Sequence, residues 1–157
     1  MKLNTNKIEK IHISNIVSLM NRGNHDYVIY DKHKKTMDEI ESEMSSWMVI
    51  TGDDKTIVAF VKVHDVNWLS RTVWYSIVFS IDHNRKKVLR QILLDLFSIY
   101  NCNKLVTDII YDRGDTVKDH IFLGGNIEVR KRQHLYINGK YVHVVEMAVF
   151  KNELKDE

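Results

Sequence analysis

Four cations stand together at Arg85, Lys86, Lys87 and Arg90, where the apolar run W-Y-S-I-V-F-S-I gives way through D-H-N to a helical pattern. A strand that feeds a helix through a short turn aims main-chain N–H groups outward, and the helix start carries positive partial charge, so this stretch suits a phosphate. Cations in a first helical turn oppose the macrodipole, an arrangement that a bound anion would offset. The turn has no glycine to let the main chain approach a ligand closely, so contacts through the Lys86, Lys87 and Arg90 side chains are expected instead. The competing reading of the same residues is the solvated first turn of a surface helix.

His120, within T-V-K-D-H-I-F-L, is the second candidate, because an imidazole titrates near neutral pH and can act as a general acid. Its alternative role is a half-buried structural residue. The pair His64-Asp65 closes a strand and is a candidate proton acceptor for an attacking amine; a charged loop end explains it equally. Cys102, in N-C-N after a helix, sits where the dipole disfavours a thiolate. The histidines His25, His33, His64 and His83 show no ligand spacing on one element, so no metal is expected. Arg130, Lys131, Arg132 and Lys140 alternate along strands, and a nucleic-acid surface is the weaker way to read them. The aromatic residues Tyr27, Tyr30, Trp68, Trp74 and Tyr75 read as core and edge packing.

These groups need elements to position them. Lys7–Ile13 alternates like a first strand, and Ser14 can cap a helix that stops at Gly23. Asn24–Lys35 is polar apart from Y-V-I-Y at Tyr27–Tyr30, which fits strand or helix. Met37, Ile40, Glu41 and Met44 fall at helical spacing behind Thr36 as cap. Trp47–Ile50, Thr56–His64 and Thr72–Ile81 read as a three-stranded meander, with a tight turn at Gly52-Asp53. A helix over Arg85–Asn101 carries the stripe Val88, Leu89, Ile92, Leu93, Leu96 and Ile99. Leu105–Tyr111 is a strand expected to run parallel to its predecessor across that helix. Asp115 opens a short helix that Gly124-Gly125 ends, and Ile127–Tyr136 and Tyr141–Phe150 form a hairpin about Asn138-Gly139.

Composition fits this layout. The chain of 157 residues has 44% hydrophobic and 28% charged residues, one cysteine, no proline and net charge +2. That balance suits one soluble α+β domain over 1–157 with a frayed tail at 150–157, and nucleic acid is not the expected partner. A lone cysteine rules out an internal disulfide and fits a reducing compartment. No apolar run approaches the ~20 residues that span a bilayer, and no leader pattern opens the chain.

The order β-α-(α)-β-β-β-α-β-α-β-β resembles that of the GNAT acyltransferase superfamily. Gly124, Glu128, Arg132, His134, Tyr136, Asn138-Gly139 and Tyr141 fall at the spacing G-x3-E-x3-R-x-H-x-Y-x-N-G-x-Y. That pattern is similar to the closing hairpin of the branch containing ribosomal-protein alanine N-acetyltransferases. The resemblance implies a mixed, mainly antiparallel twisted sheet of six to seven strands with about four helices. It also implies acetyl-CoA as co-substrate and an amine of a protein or small molecule as acceptor. Val78, Phe79 and Ile81 would lie along the pantetheine, and Arg85, Lys86, Lys87, Val88, Leu89 and Arg90 would be the pyrophosphate loop. The family loop reads R/Q-x-x-G-x-G/A, so Val88 and Arg90 stand where small residues are usual. His120 stands where many members carry a tyrosine that protonates the departing thiolate, and Gly125 replaces an aromatic. Two readings stay open: a cytoplasmic N-acetyltransferase, or a GNAT-like protein without acyl transfer that serves as a binding or structural subunit. The second draws on the basic helix start, which resembles that of virion-associated proteins of short-tailed bacteriophages with a similar layout.

Overall fold

The computed structural model of the chain describes residues 2–22, 26–29, 36–111 and 114–156. Seven strands make one sheet: β1 (Asn4–Lys7), β2 (Trp47–Thr51), β3 (Ile57–Asn67), β4 (Thr72–Phe79), β5 (Lys104–Ile110), β6 (Asn126–Ile137) and β7 (Lys140–Phe150). Their order is β1-β2-β3-β4-β5-β7-β6. Every neighbouring pair is antiparallel except β4 and β5, which run parallel because the helix between them returns the chain to the same end. The described helices are α1 (Ile13–Asn21), α2 (Met37–Ser42), α3 (Arg85–Tyr100) and α4 (Asp115–Phe122), with three short 3₁₀ turns.

Period-2 alternation sorts each strand between two faces. Val73, Tyr75 and Ile77 of β4 pack under α3 with Val88, Leu89, Ile92, Leu93 and Leu96. Val78 turns the other way, joining Phe60, Trp47 and Val49 under α1 and α2. Thr36 caps α2 reciprocally: its side chain accepts from the Glu39 N–H, and the Glu39 carboxylate accepts from the Thr36 N–H at 2.7 Å. In the β6–β7 hairpin Asn138 and Gly139 both take positive φ, 49° and 80°, the geometry a two-residue turn requires.

Several sequence expectations shift. The strand expected over Lys7–Ile13 lies earlier, at Asn4–Lys7, and Lys10–His12 is a 3₁₀ turn leading into α1. The buried residues Ile8, Ile13 and Ile16 follow a helical entry while Ile11 is exposed, and β1 needs no apolar alternation because it is an edge strand. Ser14 is therefore inside α1, and His12 takes the cap position. β3 runs on to Asn67, past the expected end at His64. In α3 the packed face ends on Phe97 and Tyr100, leaving Ile99 outside. The stop expected at Gly23 and the residues His25, Tyr30 and His33 lie outside the described residues.

The tail expected to fray is held. The Lys155 N–H donates to the Leu123 carbonyl at 3.0 Å, and the Lys151 N–H to that of Asn103 at 2.9 Å. Gly124 makes room for it: at φ 101° a Cβ there would stand 2.0 Å from the Glu153 carbonyl oxygen.

Candidate functional site

β4 and β5 pair only over Thr72–Trp74 and Lys104–Val106. Beyond that the two strands part, Tyr75–Phe79 on one side and Thr107–Ile110 on the other, and the sheet opens into a V. The Ser80 N–H donates to the Val58 carbonyl, so along β4 the even-numbered residues turn their main-chain groups toward β3. Ile77 and Phe79 therefore turn theirs into the V. The β5 side is occupied: Val28 N–H donates to the Asp108 carbonyl at 2.9 Å and Ile110 N–H to the Asp26 carbonyl at 2.8 Å. The segment Asp26–Ile29 thus lies in the V as a short wedge, bridged at Tyr27 and Ile109. Ser76 ties it to β4, its hydroxyl donating to the Val28 carbonyl at 2.8 Å.

Below the wedge α4 closes the V. His120 is fully buried; its Nδ1 is 2.8 Å from the Thr116 carbonyl and its Nε2 is 3.0 Å from the Tyr75 hydroxyl. A carbonyl can only accept, so Nδ1 carries the proton and Nε2 accepts from Tyr75. Burial pushes the His120 pKa down to about 4, and the ring is neutral near pH 7. Burial pushes the Tyr75 phenol upward, keeping it a donor. Tyr27 packs its ring against those of Tyr75, Phe79 and His120, with centroids 6.4, 6.3 and 5.6 Å away. Its hydroxyl has no hydrogen-bond partner among the described residues.

At the mouth of the V stands the start of α3. The left-handed conformation of this turn falls on Asn84, at φ 56° and ψ 19°, a residue type that tolerates it. Val88 is an ordinary helical residue whose side chain is wholly buried, as is nearly all of Leu89. Neither side chain therefore lines the mouth, and Val88 has no positive φ that would call for a small residue there. The Val88 N–H is bonded to the Asn84 carbonyl. Arg85, Lys86 and Lys87 occupy the first turn, whose N–H groups have no partner within the helix.

The four cations do not act alike. Arg85 donates to Asp26 at 2.9 Å, lies near the Thr116 hydroxyl and stacks 4.4 Å above the Phe79 ring. Thr116 donates to the same Asp26 oxygen at 2.6 Å, so the wedge, α3 and α4 are latched together there. Arg90 turns to the tail, bonded to the Lys155 carbonyl and the Asp156 carboxylate. The Lys86 ammonium lies over the Phe122 ring at 4.0 Å, and Lys87 is exposed. Ile81 is half-buried between β4 and α3 and packs on the main core.

His64 reaches the V through Ser76: its Nε2 is 2.6 Å from the Ser76 hydroxyl that bonds the Val28 carbonyl. The other candidates lie apart. Asp65 bonds to the Val66 N–H. Cys102 is buried with its pKa raised by desolvation, so it stays a thiol. Lys131 is paired with Asp108 and Glu146, and Arg130 lies over the Tyr111 ring. Among the described residues no group of three metal-ligating side chains gathers, and no helix is long and apolar enough to cross a membrane.

Asp26, Tyr27, Tyr75, Ser76, Asn84 and Thr116 were not singled out as site residues from the sequence. The one local signal was Y-V-I-Y, an apolar interruption in a polar stretch.

A mixed sheet opened between its parallel neighbours, with α3 and α4 flanking the opening, is the GNAT-like fold. Solved structures show the same likeness: the chain matches a spermidine N-acetyltransferase from Vibrio cholerae, crystallised with CoA and spermine, at TM-score 0.83 and 19% identity over 96% of each chain. Glutamate-to-glutamine mutant forms of a spermidine/spermine N-acetyltransferase from the same organism match at 0.78 and 17%, covering 96% of this chain and 94% of that one. The dodecameric structure of that organism's spermidine N-acetyltransferase matches at 0.77 and 18%, again over 96% and 94%. No protein-family model and no curated protein sequence matches the chain.

Proposed function

We propose that this chain transfers an acetyl group from acetyl-CoA to an amine. The observation that carries the reading is the β4 edge at Ile77 and Phe79, across the V from the wedge and paired with none of the described residues. A pantetheine arm has amides that can pair with such an edge as an added strand does. The residues present fit the ligand's other end through the uncommitted first-turn N–H groups of α3 with Lys86 and Lys87. Val78, Val88 and Leu89 would contribute no group to it, since the Val78 main chain faces β3 and Val88 and Leu89 are bonded and buried within α3, and Arg85 and Arg90 would meet phosphate only by leaving Asp26 and Asp156. When bound, acetyl-CoA supplies an acyl carbon activated as a thioester. The chain's part is to hold that carbonyl beside the Ile77 N–H, where negative charge on its oxygen is offset, leaving the Phe79 groups to pair with the pantetheine. Spermidine is the first acceptor to try, since the similar solved structures are of spermidine acetyltransferases.

His120, the acid implied by the family resemblance, has its Nδ1 proton on Thr116 and its Nε2 lone pair on Tyr75. We propose that it positions Tyr75 instead. The same commitment favours a second reading, a binding subunit with no acyl transfer.

Calorimetric titration with acetyl-CoA tests the first reading. We expect saturable binding that weakens severalfold in the Lys86→Ala, Lys87→Ala double variant. Absence of binding at high micromolar ligand would sink it; binding without acetylation of spermidine or an alanyl peptide would favour the subunit.

A further inference from the structure

We infer that the Tyr27 hydroxyl is the donor that receives the sulfur of the acyl carrier in the V, an assignment that rests on the acetyltransferase reading above. Three observations place it there. Tyr27 stands on the wedge, bonded into the β5 edge, directly across the opening from the free β4 edge. Its ring packs against both Tyr75 and Phe79, the residues on either side of Ile77, so an extended ligand paired along Ile77 and Phe79 runs past it. Its relative exposure is only 2%, yet its hydroxyl has no partner among the described residues, whereas the neighbouring Tyr75 hydroxyl is satisfied by His120. Buried hydroxyls are ordinarily bonded, and one left without a partner beside the β4 edge marks where a ligand atom would complete the set.

The chemistry suits a hydrogen-bond donor. Burial raises the Tyr27 pKa well above the ordinary value, which keeps the proton on oxygen at any working pH. In the transfer the amine nitrogen bonds to the thioester carbon and the carbon–sulfur bond breaks, its electron pair going to sulfur. Tyr27 O–H bonds to that sulfur as charge develops and keeps its own proton. The proton lost by the amine passes to water, and water supplies the one that sulfur finally takes.

Calorimetry with CoA and with desulfo-CoA, in which hydrogen replaces the thiol group, reads this contact without turnover. At about pH 10, where a simple alkyl thiol is mostly ionised, the native chain should prefer CoA about tenfold. Tyr27→Phe should bind desulfo-CoA as the native chain does and lose the preference. Because the hydroxyl has no partner in the free protein, this variant should melt no lower than the native chain, so a folding defect is not a confounder. A preference that survives in Tyr27→Phe, or one absent from the native chain, overturns the assignment while leaving the acetyltransferase reading in place. Failure of the native chain to bind either compound overturns both.

Discussion

The two ends of the β4–β5 pair are built on opposite principles. At the closed end, Thr72–Trp74 lie beside Lys104–Val106, and Val73 and Leu105 are wholly buried under the helices. At the open end the strands no longer pair; Tyr27, Tyr75, Ile77 and Ile109 still share the buried core, but polar bonds are added across it: Ser76 to Val28, Tyr75 to His120, and Arg85 and Thr116 to Asp26. Apolar contacts are non-directional and hold the closed end whatever lies beyond it. Directional bonds fix where each group of the open end stands and leave an unsatisfied main-chain edge and one unsatisfied phenol between them. The fold thus rests on one end and any chemistry on the other.

That contrast can be broken in order of effect. Leu105→Ala at the closed end should cost about 2–5 kcal/mol of stability, seen as a lowered urea midpoint, because the site cannot collapse under α3. Acetyl-CoA affinity of the molecules still folded should not change; a parallel loss of affinity would show that the two ends are not separable.

Acid should act on the open end. The folded-state pKa of His120 is depressed to about 4 from its ordinary 6.5, so the unfolded chain takes up the proton first as pH falls. This contribution to stability is complete above about pH 6.5 and is lost progressively toward pH 4, about 3 kcal/mol in all. Urea titrations at about pH 7.5 and about pH 5 read the slope, and ring-proton NMR should show His120 untitrated across that interval. A His120 signal that titrates near 6.5 would mean the ring is not buried as described.

The two phenols of the open end give the smallest and sharpest contrast. Tyr75→Phe strands the buried His120 Nε2 and should cost about 1–3 kcal/mol in urea. Tyr27→Phe should cost nothing. Equal losses would show that the Tyr27 hydroxyl has a partner in solution.

Much of the closed end was legible in the residues. The alternation of Thr72–Ile81, the stripe Val88 to Leu96 and the Asn138-Gly139 turn each report which side of an element is buried, a property written locally at period 2 or 3.6. The errors at β1 and Ile99 fell where an edge strand or the last helical turn escapes that rule. The candidate site was legible only by resemblance, and unevenly. Arg85 to Leu89 open α3 beside the V, but Val88 and Leu89 face the core, Arg85 is engaged by Asp26, and Arg90 by the tail.

What the sequence determined by itself is the order and type of the elements, hence a mixed α+β sheet with one parallel pair. Only the tertiary structure decided that Asp26–Ile29 enters the V, that His120 is sealed against Tyr75, and that Tyr27 keeps an open donor. The physical reason is separation along the chain. Asp26 meets Arg85 across 59 positions and Thr116 across 90, and Tyr75 meets His120 across 45. Burial patterns repeat within a turn or a strand, whereas pairings of single polar groups at such distances exist only once the sheet has brought their elements together.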